Sequence, residues 1–277
     1  MGRMLVGLIL ALVASPALAQ TQRDYDWCVS PTSSDDRVIA GCTAVIESTR
    51  STPGDRTIGS HNRGRAYLHK GLYDQSITDE TRAIGLQPNY PQAYFDRGVD
   101  YFHKGLFDQA IADLGQAIAL QPNDTDAYYI RGFSFDQKGL TDRAIADYTQ
   151  AIAHNASNPA WLYHSRGAAY SSKGLYDQAI ADEGQAIGLS PDLAVAFNGR
   201  AWAYHLAGLD ARGLPDADKG VSLAPQNAHI IETRAEIYEK LGRRADAIAD
   251  YRAALNIAPT MQDAQAGLIR LSANPGR

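Results

Sequence analysis

The sequence predicts an all-α fold, a solenoid of helix hairpins, and two observations carry this prediction. A phrase of 34 residues occurs six times, with a single step of 35. Its clearest copy is residues 91–124, and an Arg-Gly or Arg-Ala pair marks the same place in every copy. A fixed period of this length is typical of solenoids, in which one unit cannot bury its apolar face alone and is stabilised by its neighbours.

Each copy predicts two helices separated by a glycine, which should end the first helix in the left-handed conformation. The six glycines are Gly71, Gly105, Gly139, Gly174, Gly208 and Gly242. An aspartate three residues later is expected to accept hydrogen bonds from the free amides that open the second helix. These residues are Asp74, Asp108, Asp142 and Asp177. A proline at the end of five copies should stop the second helix.

The residue types at fixed places in the copies resemble those of the tetratricopeptide repeat family. They are Gly or Ala at the eighth place, an aromatic residue at the eleventh, Ala at the twentieth and twenty-seventh, and Pro at the thirty-second. The resemblance implies a right-handed superhelical α-solenoid of six helix-turn-helix repeats over residues 57–261. The expected repeats are 57–90, 91–124, 125–159, 160–193, 194–227 and 228–261, followed by a capping helix and tail at 262–277.

The first 56 residues precede the repeats, and they predict export. Residues 1–19 have a short positive start, an apolar run and an Ala-Leu-Ala cleavage pattern, which together are typical of a secretory signal peptide. Residues 20–56 carry both cysteines of the chain and, over residues 36–46, a segment that reads like a lone second helix of a repeat. In an oxidising compartment Cys28 and Cys42 should form a structural disulfide, which stabilises by about 3 kcal/mol in the loop-entropy model.

A polar pair recurs in all six copies, with Arg at the seventh place and Asp at the twenty-third. Both places face the space between the two helices, so a ladder of structural ion pairs is expected, because a paired charge can be partly buried where a lone one cannot. Its central rungs are Arg97 with Asp113, Arg131 with Asp147, and Arg166 with Asp182. Direct ligand binding by these arginines is the alternative.

The resemblance also implies that the first helices line a concave groove. The residues expected to face it are His61, Arg65, His69, Phe95, Phe102, His103, Tyr129, Phe133, Trp161, His164, Trp202, His205, Glu232, Glu236 and Glu239. They give a basic end at the first repeat, an aromatic middle and an acidic end at the sixth. A bound segment is therefore expected to place its acidic part at the first repeat and its basic part at the sixth. Packing of the aromatic residues between helices is the alternative.

Composition and motifs narrow the function to protein binding. A net charge of −5 with no basic stripe argues against nucleic acid, and no stable membrane insertion is expected. The chain lacks the common catalytic and phosphate-binding motifs, so no enzyme, cofactor or metal site is expected. We expect a periplasmic or secreted scaffold of a Gram-negative bacterium that binds a peptide or helical segment in envelope assembly or secretion. The alternatives are a self-assembling envelope component and an accessory subunit of an envelope enzyme complex.

Overall fold

The structure is a computed structural model that describes residues 16–154, 157 and 159–273. This part of the chain forms fifteen α-helices and no strand, which confirms the predicted all-α solenoid of helix hairpins. The helices are α1 (Pro16–Val29), α2 (Asp35–Glu47), α3 (Pro53–His69), α4 (Tyr73–Leu86), α5 (Pro91–His103), α6 (Phe107–Leu120), α7 (Thr125–Gln137), α8 (Thr141–Ala153), α9 (Pro159–Ser172), α10 (Tyr176–Leu189), α11 (Ala194–Leu206), α12 (Asp210–Leu223), α13 (Ala228–Lys240), α14 (Arg244–Ile257) and α15 (Gln262–Ala273).

The chain divides into two compact units, Met1–Gln121 and Pro122–Arg277. In unit 1, α1 packs on α2, α3 on α4 and α5 on α6, and the first helices α3 and α5 are neighbours. In unit 2, the hairpins α7/α8, α9/α10, α11/α12 and α13/α14 follow one another, and α15 packs on the last. The first helices α7, α9, α11 and α13 lie side by side, and together they form what we call the inner face of unit 2.

The turns between paired helices follow the glycine prediction. All six glycines adopt positive φ angles between 70° and 74°. The aspartates that follow do not cap the second helices, and that expectation was wrong. They lie within the first helical turn, and the residue at the N-cap position is Leu72 in α4 and Leu140 in α8. Asp74 instead accepts a hydrogen bond from Lys104, and Asp142 from Lys173, so these carboxylates link neighbouring repeats.

The cysteine-bearing segment forms a complete helix hairpin, whereas the sequence predicted a lone second helix. The disulfide between Cys28 and Cys42 joins α1 to α2, as predicted, and both cysteines are buried. Gly41 lets these helices approach closely, because a Cβ at this position would collide with the Asp24 carbonyl oxygen. Most of the predicted signal peptide, residues 1–15, lies outside the described residues. No helix in the described part of the chain is long and apolar enough to cross a membrane.

Candidate partner-binding site

The residue at the twenty-fourth place of each repeat fills the space between the two helices. We call this twenty-fourth place the interhelix position, and its side chain packs against the Gly or Ala at the eighth place. A Cβ at Gly132 would come within 2.8 Å of the Tyr148 ring, so a larger residue has no room there. The interhelix residues are Glu80, Leu114, Tyr148, Glu183, Ala217 and Tyr251. Carboxylic acids therefore occupy two places that otherwise hold hydrocarbon or tyrosine.

In unit 2 the interhelix residue Glu183 is buried and contacts His164 of α9. The Nδ1 atom of His164 lies 3.0 Å from each Glu183 carboxyl oxygen. Burial raises the pKa of Glu183 to about 7, against the opposing effect of the hydrogen bond and charge of His164. The next repeat has Gly199 opposite this carboxyl group, and a Cβ there would collide with it. Glu183 therefore lies where α9, α10 and α11 meet.

A cavity of about 360 Å³ opens beside this pair of residues, lined by α9, α10 and α11. Its apolar lining includes Trp202 and Val195, and its polar lining includes Glu183 and Asn198. The Oδ1 atom of Asn198 is buried and has no hydrogen-bond partner among the described residues. Since an unsatisfied buried acceptor costs about 1–3 kcal/mol, a ligand that donates a hydrogen bond would be favoured here. The volume falls within the usual range of ligand pockets.

Aromatic side chains border this cavity on the inner face of unit 2. Trp161 keeps 43% of its surface exposed and meets the His164 ring edge-on, with ring centroids 5.9 Å apart. Trp202 is half-buried and stacks on His205 at 5.1 Å. An exposed tryptophan beside a pocket is a common feature of partner-binding surfaces.

The acidic residues predicted on α13 differ in how far their carboxyl groups are occupied by contacts within the chain. Glu232 is half-buried, and burial together with the negative charge of Glu236 raises its pKa to about 7. Glu236 Oε2 lies 3.5 Å from His205 Nε2, and His205 Nδ1 also lies 2.6 Å from Asp210. Glu239 accepts hydrogen bonds from Tyr251 and Arg270, so it serves mainly to hold the capping helix α15. Two of the three predicted acids therefore remain toward the inner face.

The first repeat does not present the basic end that the sequence predicts, because its basic side chains lie next to carboxyl groups. His61 is buried, and its Nδ1 atom lies 3.1 Å from Oε2 of Glu80, the interhelix residue of that repeat. Burial and the nearby charge of Arg65 lower the pKa of His61 to about 4, so it is uncharged at neutral pH. Arg65 lies 3.7 Å from Asp96, and His69 lies 3.2 Å from Asp35. Because carboxylates offset these groups, the structure gives no reason for an acidic ligand to bind there.

The remaining predicted aromatic residues are mostly half-buried, which agrees in part with the packing alternative. In unit 1, Phe95 and Phe102 are half-buried, and the exposed His103 stacks on Tyr73 at 5.2 Å. In unit 2, Tyr129 lies between Phe133 and the interhelix Tyr148, with ring centroids 6.5 Å and 6.0 Å away. Phe133 keeps 37% of its surface exposed.

The recurring Arg and Asp residues form two-point ion pairs in all six repeats. In the third repeat, Arg131 Nε and Nη2 donate to Asp147, each at 2.7 Å. The other pairs are Arg63–Asp79, Arg97–Asp113, Arg166–Asp182, Arg200–Asp216 and Arg234–Asp250. Their aspartates are nearly buried. This two-point geometry is the strongest form of a charged hydrogen bond, and it fixes one helix against the other.

Comparison with known proteins identifies the repeat. Models of the tetratricopeptide repeat (TPR) match residues 98–139, 125–158, 162–193 and 228–261. The chain is a tetratricopeptide repeat protein. No curated protein matches the sequence significantly.

Solved TPR structures share its fold. The MamA protein is 26% identical with a TM-score of 0.58, over 62% of this chain and 94% of that one. PilW, a type IV pilus biogenesis factor, is 19% identical with a TM-score of 0.68, over 76% of this chain and 98% of that one. PilF of Pseudomonas aeruginosa is 13% identical with a TM-score of 0.67, over 79% and 99%. At such low identities the last two likenesses concern the fold alone.

Sequence reasoning missed the carboxyl groups that distinguish this TPR protein from a plain stack of hairpins. Glu80, Glu183 and Asp100 were overlooked, whereas Asp96 and Asn198 were expected only as groove positions, without their buried contacts. A signal for two of them was present, because the fifth place holds His only in the two repeats that hold Glu at the interhelix position. Reading these two places together would have paired His61 with Glu80 and His164 with Glu183.

Proposed function

We propose that this TPR protein is a non-enzymatic scaffold that binds an extended segment of a partner protein on the inner face of unit 2. A lysine or arginine side chain of the segment would enter the cavity beside Glu183. The observation that carries this proposal is the cavity itself, whose lining includes the buried Glu183 and Asn198, a residue whose Oδ1 atom has no hydrogen-bond partner among the described residues.

A basic side chain fits the chemistry of this surface better than an acidic or apolar one. Its nitrogen atoms would donate to Asn198 and Glu183, while its aliphatic stem would pack on Trp202. Exposed Trp161 would cover the guanidinium or ammonium group, since cations bind favourably to tryptophan faces. Glu232 and Glu236 add negative charge on neighbouring α13, which favours basic residues elsewhere in the segment.

We place this activity in an oxidising compartment, the periplasm or the cell exterior, with a role in envelope assembly or secretion. The buried disulfide between Cys28 and Cys42 supports this location, because such bonds persist outside the reducing cytosol. The signal peptide predicted for residues 1–19 supports it independently.

Selection of displayed random heptapeptides on the purified mature protein tests the proposed site. We expect the selected peptides to be enriched in Lys or Arg, and replacement of that residue by Ala to weaken binding at least tenfold. Trp202→Ala should weaken binding by a similar factor, because buried aromatic anchors contribute about 2 kcal/mol or more. Trp27→Ala in α1 is the matched control and should leave the affinity unchanged. Selected peptides without basic residues, or equal effects of both tryptophan changes, would contradict the proposal.

The same peptides should bind more tightly as the pH rises from 6 to 8. A bound cation stabilises the ionised form of Glu183, whose pKa is raised to about 7, so ligand binding and ionisation favour each other. At pH 6 only about a tenth of such a group is ionised, which predicts an affinity up to about tenfold weaker than at pH 8. Glu183→Gln should remove most of this dependence while circular dichroism remains helical.

A further inference from the structure

A buried cluster of four ionisable side chains lies in unit 1, where α3, α4 and α5 meet. His61 comes from α3, Glu80 from α4, and Asp96 and Asp100 from α5. All four are buried, and the side chains of Glu80 and Asp100 have no exposed surface. Ionisable groups gathered in a protein interior need compensation, since each charge loses its hydration.

The ligand atoms of this cluster have the spacing of a metal site. His61 Nδ1 lies 3.1 Å from Glu80 Oε2 and 3.6 Å from Asp96 Oδ2. One atom from each of the three residues can be chosen so that all lie within 4.8 Å of one another. Around a tetrahedral zinc ion with bonds of about 2.1 Å, ligand atoms are about 3.4 Å apart. The two measured separations fall on either side of that value.

A further buried carboxyl group, that of Asp100, lies beside these three residues. Neither of its oxygen atoms has a well-formed hydrogen bond among the described residues, although the Ser76 hydroxyl group is close to it. One nearby cation, Arg65, lies 3.7 Å from Asp96 with 53% of its side chain exposed. A buried divalent cation would interact more strongly with these carboxyl groups, because solvent would screen its charge less. Asp100 is outside the ligand spacing of these three residues, and it is therefore suited to accept a hydrogen bond from a metal-bound water.

The fourth and fifth repeats can be compared with this cluster in the first and second repeats. The fourth repeat has the same pair, His164 and Glu183, at the same places. The repeat after it, however, has Gly199 and Ala203 where the second repeat has Asp96 and Asp100. The two acids are thus present beside one His–Glu pair and absent beside the other, so neither is required for the pair or for hairpin packing.

We propose that His61, Glu80 and Asp96, with Asp100 beside them, bind one divalent transition-metal ion in unit 1. A histidine nitrogen with carboxylate oxygens suits zinc, whereas magnesium prefers ligands that are all oxygen. The site lies at the seam between the first two repeats, so the ion would join α3, α4 and α5. Its role is structural, because the ligand residues are buried.

Calorimetric titration of the untagged mature protein with zinc chloride, after removal of metal by a chelator, tests this site. We expect one zinc ion per chain, with a dissociation constant in the micromolar range or below, and no comparable binding of magnesium. His61→Ala and Asp96→Asn should each weaken zinc binding at least tenfold. His164→Ala, at the matched place in the fourth repeat, should leave zinc binding unchanged. Zinc should raise the unfolding temperature of the wild type and of His164→Ala only.

Cobalt absorption provides a readout that does not depend on the folding of any variant. Cobalt bound to the wild-type protein should show the visible bands of a low-coordinate nitrogen and oxygen site, and one equivalent of zinc should remove them. Absence of saturable zinc binding in the folded wild type would overturn the proposal. Binding that survives both His61→Ala and Asp96→Asn, or that magnesium matches, would overturn it as well.

Discussion

At the scale of single residues, each ladder arginine has one environment that recurs through the repeats. Arg131 donates two hydrogen bonds to Asp147, and its guanidinium lies over the rings of Tyr128 and Phe135, at 5.5 Å and 5.9 Å from their centroids. Arg97 and Arg166 each lie over the rings of two tyrosines in the same way. An arginine that contacts two aromatic rings and donates two hydrogen bonds to one carboxylate is poorly placed to contact a partner.

Removal of one carboxylate from this ladder should be costly. Asp147→Ala leaves the guanidinium of Arg131 without its carboxylate partner, and the loss of one member of a buried pair typically costs about 3 kcal/mol or more. Chemical denaturation measures the effect. Asp142→Ala on the same helix is the matched control, because its side chain is 81% exposed against 7% for Asp147. An exposed pair contributes less than about 1 kcal/mol. A cost below about 0.5 kcal/mol for Asp147→Ala would contradict a structural role, and it would favour the alternative that these arginines bind a ligand directly.

The ladder could be predicted from the sequence in full, but the carboxyl clusters only in part. Arg and Asp recur in every copy, so periodicity alone indicates that they serve the fold. Glu80 and Glu183 differ from the residues at the same place in four other copies, and only the His that accompanies each of them indicates a partner. Asp96 and Asp100 lie in the following repeat, so only the packing of α5 on α4 shows that they meet Glu80. For the same reason His61 was expected to be exposed and charged.

At the scale of helices, α12 is the least regular second helix. Pro215 lies inside it and removes one backbone hydrogen bond, while Gly213 and Gly220 lower its helix propensity. The glycines have a packing reason, since a Cβ at Gly213 would lie 3.0 Å from the Ala201 carbonyl oxygen and one at Gly220 would lie 3.1 Å from Ile230. Pro215 is exposed and has no comparable contact. The helix is therefore formed but weakened.

Hydrogen exchange should be fastest in residues 210–222 among the second helices of unit 2. Pro215→Ala restores an N–H donor at an exposed place, so it should slow exchange there and raise the free energy of unfolding by about 1–2 kcal/mol. Exchange followed by mass spectrometry of both proteins measures this. Uniform protection across α8, α10, α12 and α14, or no change in the variant, would show that packing alone sets the stability of this helix.

At the scale of the whole molecule, the N-terminal hairpin repeats the contacts that the TPR repeats make with one another. Arg63 Nη1 donates to Thr43 of α2, just as Arg97 does to Thr81 and Arg166 to Thr149. Asn62 also donates to the Cys28 carbonyl oxygen of α1. The sequence predicted only α2, because residues 20–35 carry no 34-residue pattern. The disulfide stabilises a hairpin that lacks the ladder pair of the repeats.

The central claim is that a basic segment of a partner binds the inner face of unit 2, and site-specific photocrosslinking in the producing cell tests it most directly. A benzophenone amino acid at Trp161 probes the border of the cavity, and the same group at exposed Leu189 on the second helix α10 is the control. We predict that Trp161 captures one partner protein through a peptide containing Lys or Arg, that Glu183→Gln reduces this capture, and that Leu189 does not capture it. Equal capture from both positions, or crosslinks only to further copies of this chain, would contradict the account.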